Sequence, residues 1–530
     1  MKQTEPMRKK IQFLAGIALI AALAACIKSS IKPSPPKPEK ADTTKTGADT
    51  TKIPDPPVQV LPKGVFTTIG ISSTSWIIAM HSDQPSESIY SNCVATDAAG
   101  SVYVLFNYYG LLDLDPGTNT VVGSGYTSRA TLAKYSVDGK YLWSKKFNNF
   151  GAIYANKLSI DKSGNVYCML RCTDADLIKF DNYSYTFKSA IKDIGALIKF
   201  DTSGKLNWLR EIGVDHISRG VRLDDMTTDV DGNLYIGGVF RNVAIFYGNK
   251  IDTLVIPPDL PGDYPRGNYI DKGFWAKYNT DGKLLSTTVI LPINASNDLG
   301  LTASHTCIAV DSKQNVFICG QAYNVHDVNV SRLGDSLQYG KFITKYDKNG
   351  KWLWLKGYGG SSAIITYVDF VSMVTDAAGN VYVSGYDGNR RQNNVVYKVD
   401  ANGNDMWNKF IPTGIDKNST IMIIDNKDQL LVAGTYIVTS AVSPSLTSNL
   451  GIYLNKYSTS GTLLYNKNLL GYSILSYIYL YNAAIDNQGN VNVTGFFNGS
   501  IKLLNTSGDP VNPQSDFNNS FFIAHFPDKP

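Results

Sequence analysis

The chain has 530 residues, 43% hydrophobic and 18% charged, with 45 Gly, 32 Tyr and only 5 His. This composition excludes a disordered, collagen-like or multi-span membrane chain, and so few histidines argue against a His-rich metal centre. The net charge of +5 is unevenly placed: residues 1–25 carry +3, residues 27–63 carry another +3, and residues 64–530 are left at −1. A near-neutral body gives no reason to expect a nucleic-acid partner.

The first element is an address. Arg8-Lys9-Lys10 precedes an apolar run from Ile11 to Ala25, shorter than the ~20 residues that span a bilayer. The run ends Leu23-Ala24-Ala25-Cys26, small residues before a cysteine that can be acylated. This resembles the lipobox of bacterial lipoproteins. The resemblance implies a signal peptide over 1–25, cleavage between Ala25 and Cys26, and a membrane partner reached through lipid on Cys26. Ile27 stands where an Asp would mark inner-membrane retention. The expected location is therefore the outer membrane, facing the periplasm or the surface. Residues 27–63 hold eight Pro and seven Lys with no hydrophobic period. With Cys26 they read as a lipidated, semi-rigid tether over 26–63, up to roughly 100 Å long at ~3.1 Å per residue.

From residue 64 onward the chain repeats. An apolar stretch is followed by Asp, a short turn usually ending in Gly, and a β-rich stretch. The Asp residues are Asp97, Asp161, Asp229, Asp311, Asp376, Asp425 and Asp486, spaced by about 65 residues on average. Asp376-Ala-Ala-Gly-Asn-Val-Tyr-Val-Ser-Gly385 is a full copy, whereas Gln314 and Asp428 stand where other copies have Gly. Asp bonding its own backbone and Gly at positive φ are hairpin-turn chemistry. A second motif follows each first one: Lys, an aromatic or apolar residue, a turn with Gly, then often Trp, as in Lys134-Tyr135…Gly139…Trp143 and Lys398-Val399…Gly403…Trp407. The last copy, Ala524-His525-Phe526, is followed by only four more residues.

Two hairpins per repeat make four strands, and seven repeats predict an all-β, seven-bladed β-propeller of four-stranded antiparallel blades over 64–530. A solenoid is the structural alternative. The two motifs resemble the seven-bladed β-propeller (SBBP) repeat family, which implies architecture and says almost nothing about function. The last repeat lacks its fourth strand, and Trp76-Ile77-Ile78-Ala79-Met80 has no repeat of its own. That segment is expected to pair with residues 520–526 and close the ring, removing an exposed edge. The residue three before each Asp is apolar throughout and is expected in the core. The Trp and Tyr of the second motif are expected to pack between blades. Insertions at 108–128, 240–273 and 321–340 are expected as surface loops forming one rim.

Cys307 and Cys319 lie on the two arms of one hairpin. If Val310 faces Val316, register sets them opposite each other, either as a cross-strand disulfide or as two buried thiols. Cys168-x-x-x-Cys172 has the wrong spacing for a zinc or thioredoxin-like motif. No phosphate loop, nucleophile elbow, zinc motif or dinucleotide fingerprint is present, so no catalytic residue, metal or cofactor is assigned. Asp229-x-Asp231-Gly232 fits the turn motif better than a calcium loop.

If the strand before each Asp is innermost, the funnel residues lie five to seven positions upstream: Tyr90, Asn92, Tyr154, Asn156, Arg222, Asp224, His305, Asp369, Tyr479 and Tyr481. This aromatic and amide-rich set suits sugar rings or a peptide. The expectation is a monomeric, non-catalytic binding scaffold for protein or glycan. The alternative is a polysaccharide hydrolase or lyase, which needs paired funnel carboxylates such as Asp224 and Asp369.

Overall fold

The computed structural model describes residues 69–72, 75–81, 89–115, 121–123, 128–148, 151–189, 193–214, 221–240, 243–248, 252–255, 272–290, 304–325, 337–358, 368–387, 393–412, 420–437, 450–468, 470–471, 477–498, 502–504, 510–511 and 520–527. Ala25, Cys26 and the rest of the expected tether, residues 26–63, lie outside them. No described helix is long and apolar enough to cross a membrane.

The repeat's turn chemistry starts each blade. Asp97 Oδ1 accepts the N–H groups of Ala99 (3.0 Å) and Ser101 (2.9 Å), and Gly100 N donates to the Asp97 carbonyl. Gly100 takes φ +80°, a conformation that costs Gly little. The resulting tight loop joins strand Ile89–Thr96 to strand Val102–Tyr108. The same backbone bonds recur at Asp161, Asp229, Asp311, Asp376, Asp425 and Asp486.

The repeats build seven antiparallel sheets, each with a four-stranded core. Blade 1 is Ile89–Thr96, Val102–Tyr108, Arg129–Tyr135 and Tyr141–Phe147. Blade 2 is Ala152–Ile160, Val166–Thr173, Asp193–Phe200 and Leu206–Gly213; blade 3 is Val221–Thr228, Leu234–Phe240, Lys272–Tyr278 and Leu284–Val289. Blade 4 is Ser304–Val310, Val316–Val325, Leu337–Tyr346 and Trp352–Tyr358; blade 5 is Val368–Thr375, Val381–Asp387, Asn393–Val399 and Asp405–Pro412. Blade 6 is Ile421–Ile424, Leu430–Ile437, Leu450–Tyr457 and Leu463–Asn468. Blade 7 takes Tyr477–Ile485, Val491–Asn498 and Ser520–Phe526 from one end of the chain and Ser75–His81 from the other, with Ile69–Ser72 as a fifth strand. Trp76 pairs with His525, Ile78 with Ile523 and Met80 with Phe521, which is the expected closure.

The first strand of each blade touches the first strand of the next, and that of blade 7 touches that of blade 1. Seven inner strands thus form a ring, and the fold is a seven-bladed β-propeller. Because each blade has a neighbour on both faces, its strands are apolar on both. In blade 4, Val316 and Ile318 pack with Tyr235 and Trp275 of blade 3, while Phe317 and Cys319 pack with Val381 and Val383 of blade 5. The residues three before each Asp, from Val94 to Ala483, are buried as expected.

The second motif clasps neighbouring blades. Lys345 Nζ and Trp354 Nε1 of blade 4 both donate to the Ala401 carbonyl in a turn of blade 5, at 2.9 and 3.1 Å. Lys199 and Trp208 of blade 2 hold Thr280 of blade 3 in the same way. Each Trp lies on the glycine of the turn it grasps; a Cβ on Gly282 would come within 2.7 Å of Trp208. Glycine is needed there for its φ of +73° and for the ring's approach.

The insertions differ from expectation. Val243–Tyr247 and Asp252–Val255 form a hairpin that pairs with the outer strand of blade 2, Leu206–Gly213. Main-chain donors on that open edge gain partners, so the segment extends a blade. The 321–340 insertion lengthens the two middle strands of blade 4, and 108–128 contains a small hairpin, Leu111–Asp113 with Val121–Gly123. Each of these insertions thus contributes strands among its described residues.

Candidate functional site: the central channel

The inner strands enclose a cavity of about 630 Å³ along the axis. Its wall comes from the last few residues before each Asp, including Lys157, Asp225, Met373, Thr420 and Tyr481. A β-bulge shapes its mouth. Pairing of the inner strand slips by one residue between Leu223 and Asp225, between Phe370 and Ser372, and between Leu480 and Asn482, and an equivalent slip places Asn156 in blade 2. A bulge re-aims the extra residue, and where side chains are described those residues are Asn156, Asp224 and Tyr481.

Several expected funnel residues therefore occupy the bulge, but two of them are committed to structure. Asp224 Oδ1 receives Arg222 Nε at 2.6 Å, and its Oδ2 receives both the N–H and the hydroxyl of Thr306 at 3.0 Å. Asn156 Nδ2 donates to the Leu223 carbonyl at 3.1 Å. These bonds run from blade 2 to blade 3 and from blade 3 to blade 4. Tyr154 pairs with Arg171 within blade 2, and Arg171 makes a two-pronged contact to Asp193 at 2.8 Å. Tyr479 and Tyr481 keep more of their surface in solvent: they are 37% and 38% exposed on the inner strand of blade 7, where Tyr479 also stacks on Phe496 at 6.5 Å. Tyr90, Asn92, His305 and Asp369 also fall on inner strands, where the backbone alone is described.

One step inward lies a charged pair that the funnel list missed. Lys157 Nζ sits 2.7 Å from Asp225 Oδ1, bridging blades 2 and 3 at the channel wall. Asp225 also accepts the Ile308 N–H at 3.0 Å, which carries the link to blade 4. Burial works against the Lys157 ammonium, but the charge and hydrogen bond of Asp225 outweigh it and hold its pKa above the usual lysine value. The signal was present: four residues before the Asp, successive repeats read Cys93, Lys157, Asp225, Cys307, Ser372, Ile421 and Asn482. Opposite charges in adjacent repeats, in a column otherwise small, neutral or apolar, mark an inter-blade pair.

Two thiols flank this pair. Burial pushes Cys93 up to about 12, and the hydrogen bond to Cys319, then burial, raise Cys307 well above the usual thiol value. Both stay protonated at neutral pH and are poor nucleophiles. Cys307 lies opposite Cys319, with Val310 opposite Val316, in the register read from the sequence. Both sulfurs are free thiols in the structure.

The seven motif aspartates are more than turn formers. Asp376 Oδ2 receives Asn380 Nδ2 at 2.8 Å and Tyr382 OH at 3.2 Å, and it pairs with Lys398 Nζ at 3.3 Å. Equivalent Asp–Lys pairs occur at Asp97–Lys134, Asp161–Lys199, Asp229–Lys277 and Asp425–Lys456. Burial, then the aspartate charge, pushes the Tyr103, Tyr167, Tyr235 and Tyr382 hydroxyls far above the usual phenol range. They serve as hydrogen-bond donors, and these hubs are structural.

Compared with models of known protein families, the chain matches none. No curated protein matches it either. Among solved structures it is similar to the β-propeller domain of the Trilobed protease from Pyrococcus furiosus (10% identity, TM-score 0.40, covering 82% of this chain and 99% of that one). It is also similar to a protein of unknown function from Dyadobacter fermentans (13%, TM-score 0.39, covering 71% and 95%) and to streptogramin B lyase (9%, TM-score 0.38, covering 84% and 97%). The propeller assignment rests on this chain's own strand order and ring of inner strands. Among the described residues, no group of three or more His, Cys, Asp or Glu could hold a metal ion.

Proposed function

We propose that this is an exported, lipid-anchored propeller of the SBBP-repeat type, held on the outer membrane through Cys26, whose channel mouth binds glycan or protein without catalysing a reaction. The observation that carries this reading is the contrast at the mouth. Tyr479 and Tyr481 present exposed aromatic surface, while Asp224 and Asp225 have their oxygens engaged by Arg222, Thr306, Lys157 and Ile308. A glycosidase requires one carboxyl free to give a proton and a second free to attack or activate water. Aromatic faces near polar groups suit stacking on sugar rings or peptide side chains. The lipobox and the Pro-rich tether support the address.

The full chain in detergent micelles, applied to glycan and peptide arrays, is expected to retain a defined ligand class. Tyr479→Ala and Tyr481→Ala should each weaken binding roughly threefold to tenfold, the worth of an aromatic contact. Release of new reducing ends from a polysaccharide, abolished by Asp224→Asn or Asp369→Asn, would replace this reading with the enzymatic one.

A further inference from the structure

Blade 7 departs from the other six at its hub. In blades 1 to 6 the second motif supplies a lysine: Lys134, Lys199, Lys277, Lys345, Lys398 and Lys456. In blade 7 the same position is His525. The residue six after the hub aspartate changes with it, from Tyr in blades 1, 2, 3 and 5 to Asn492. His525 is 2% exposed, its Nδ1 lies 2.9 Å from Asn492 Oδ1, and its ring stacks on Trp76 at 5.5 Å with 4° between the planes. Trp76 belongs to the strand that closes the ring and is paired directly with His525. Its indole N–H donates to the Val137 carbonyl of blade 1 at 2.7 Å, so it also holds blade 7 to blade 1. The one hub whose charge can change near neutral pH therefore sits under the closing strand.

We propose that blade 7 is a pH-sensitive latch, in which protonation of His525 loosens the hold of Ser75–His81 on Ser520–Phe526 while the lysine hubs keep the other blades shut. The neutral imidazole satisfies the bond to Asn492 and stacks on an uncharged ring. Charging it places a cation and an extra donor in a buried site. The charged groups facing it are Asp486, the hub of its own blade, and Asp138, from the blade 1 turn that Trp76 clasps. Burial lowers the His525 pKa below 6.5, and the two carboxylates recover only part of that. The folded-state pKa thus lies below the unfolded one. The stabilisation is complete above pH ~6.5 and is lost as pH falls toward the folded-state value, because the opened strand pair takes up the proton first. The released strand is the one through which residues N-terminal to 69 join the ring, so acid opens the propeller at the blade nearest its tether in sequence.

Hydrogen exchange of the full chain, corrected for intrinsic rates, tests this between pH 7.5 and 5.0. Protection of residues 75–81 and 520–526 should fall by up to about tenfold per pH unit below 6.5, with the equivalent strands of blade 5 unchanged. His525→Lys, which restores the hub of the other blades, should remove the dependence. An equal loss of protection in His525→Lys would overturn the proposal. Should that variant fail to fold, a chain with His81, His216, His305 and His326 replaced by Gln leaves one imidazole for NMR titration. A midpoint below 6.5 supports the latch, and one at or above 6.5 refutes it.

Discussion

Blade 5 and blade 7 perform the same task with different materials. In blade 5 the hub is Asp376, Tyr382 and Lys398; Lys398 Nζ reaches Thr459 of blade 6 at 2.9 Å, and Trp407 reaches the same carbonyl at 3.3 Å. Every donor comes from one repeat. In blade 7 the hub is Asp486, Asn492 and His525, and the clasping tryptophan is Trp76, from the far end of the chain. Blades 1 to 6 are sealed by permanent charges and local sequence. The closing blade is sealed by a neutral ring and a long-range strand pairing. A ring made from repeats must break its pattern where the termini meet, and the substitution of His for Lys falls at that place.

The largest test removes the closure. Deleting residues 64–82 takes away Trp76, Ile77, Ile78 and Met80, all buried, at about 1.5–3 kcal/mol each. That sum rivals the total stability of a typical domain, ~5–15 kcal/mol, so the cooperative thermal transition should move down by well over 10 °C or vanish. A melting curve that does not move would show that the ring holds without its last strand.

A smaller effect compares the two hubs directly. Lys398→Met leaves the Asp376 carboxylate, 4% exposed, without its cation and should cost about 3–5 kcal/mol. His525→Gln at pH 7.5 removes a neutral, hydrogen-bonded ring and should cost ~1–3 kcal/mol. Urea denaturation midpoints at that pH measure both. Equal costs would mean that the lysine hubs are no stronger than the closing one.

The smallest effect concerns degenerate turns. Gln314 takes φ +63° where five of the other six repeats have Gly. Its side chain donates to Asp231 and accepts from Lys277 Nζ, both in blade 3. Gln314→Gly relieves about 1 kcal/mol of backbone strain and loses these bridges, so the net change should stay within ~1 kcal/mol. Gly379→Ala, at φ +82° with a new Cβ 3.0 Å from Asp311 Oδ2, should cost ~1–3 kcal/mol. A stabilised Gln314→Gly would show that the bridges contribute little.

Much of this architecture was legible because its causes are local. The Asp-to-Gly spacing sets a turn wherever it occurs, and the apolar residue three before each Asp is buried in every blade. Trp76–Met80 could be matched to 520–526 because each was the only segment without a partner, and Cys307 could be set against Cys319 by counting from the turn. The candidate funnel residues all fall on inner strands; Asn156 and Asp224 are bonded to neighbouring blades, while Tyr481 lines the channel. Spacing alone does not reveal the bulge at Asp224 and Tyr481, nor that Lys157 and Asp225 share the channel wall with Tyr481. The insertions were misread for a related reason. Composition marks them as loops, but the edge of blade 2 offered unpaired backbone groups, and residues 243–255 paired with it.

The sequence by itself determined the repeat number, the turns, the ring's closing strand and the near-neutral body, since these depend on residue type and spacing along the chain. Tertiary structure alone decided which groups meet across blades: the shared carbonyl gripped by Lys and Trp, the Lys157–Asp225 bridge, and His525 beneath Trp76. Those partners lie roughly one repeat or almost the whole described chain apart. Only ring closure brings them within hydrogen-bonding distance, and only there does burial give a charge, or a missing one, its energetic weight.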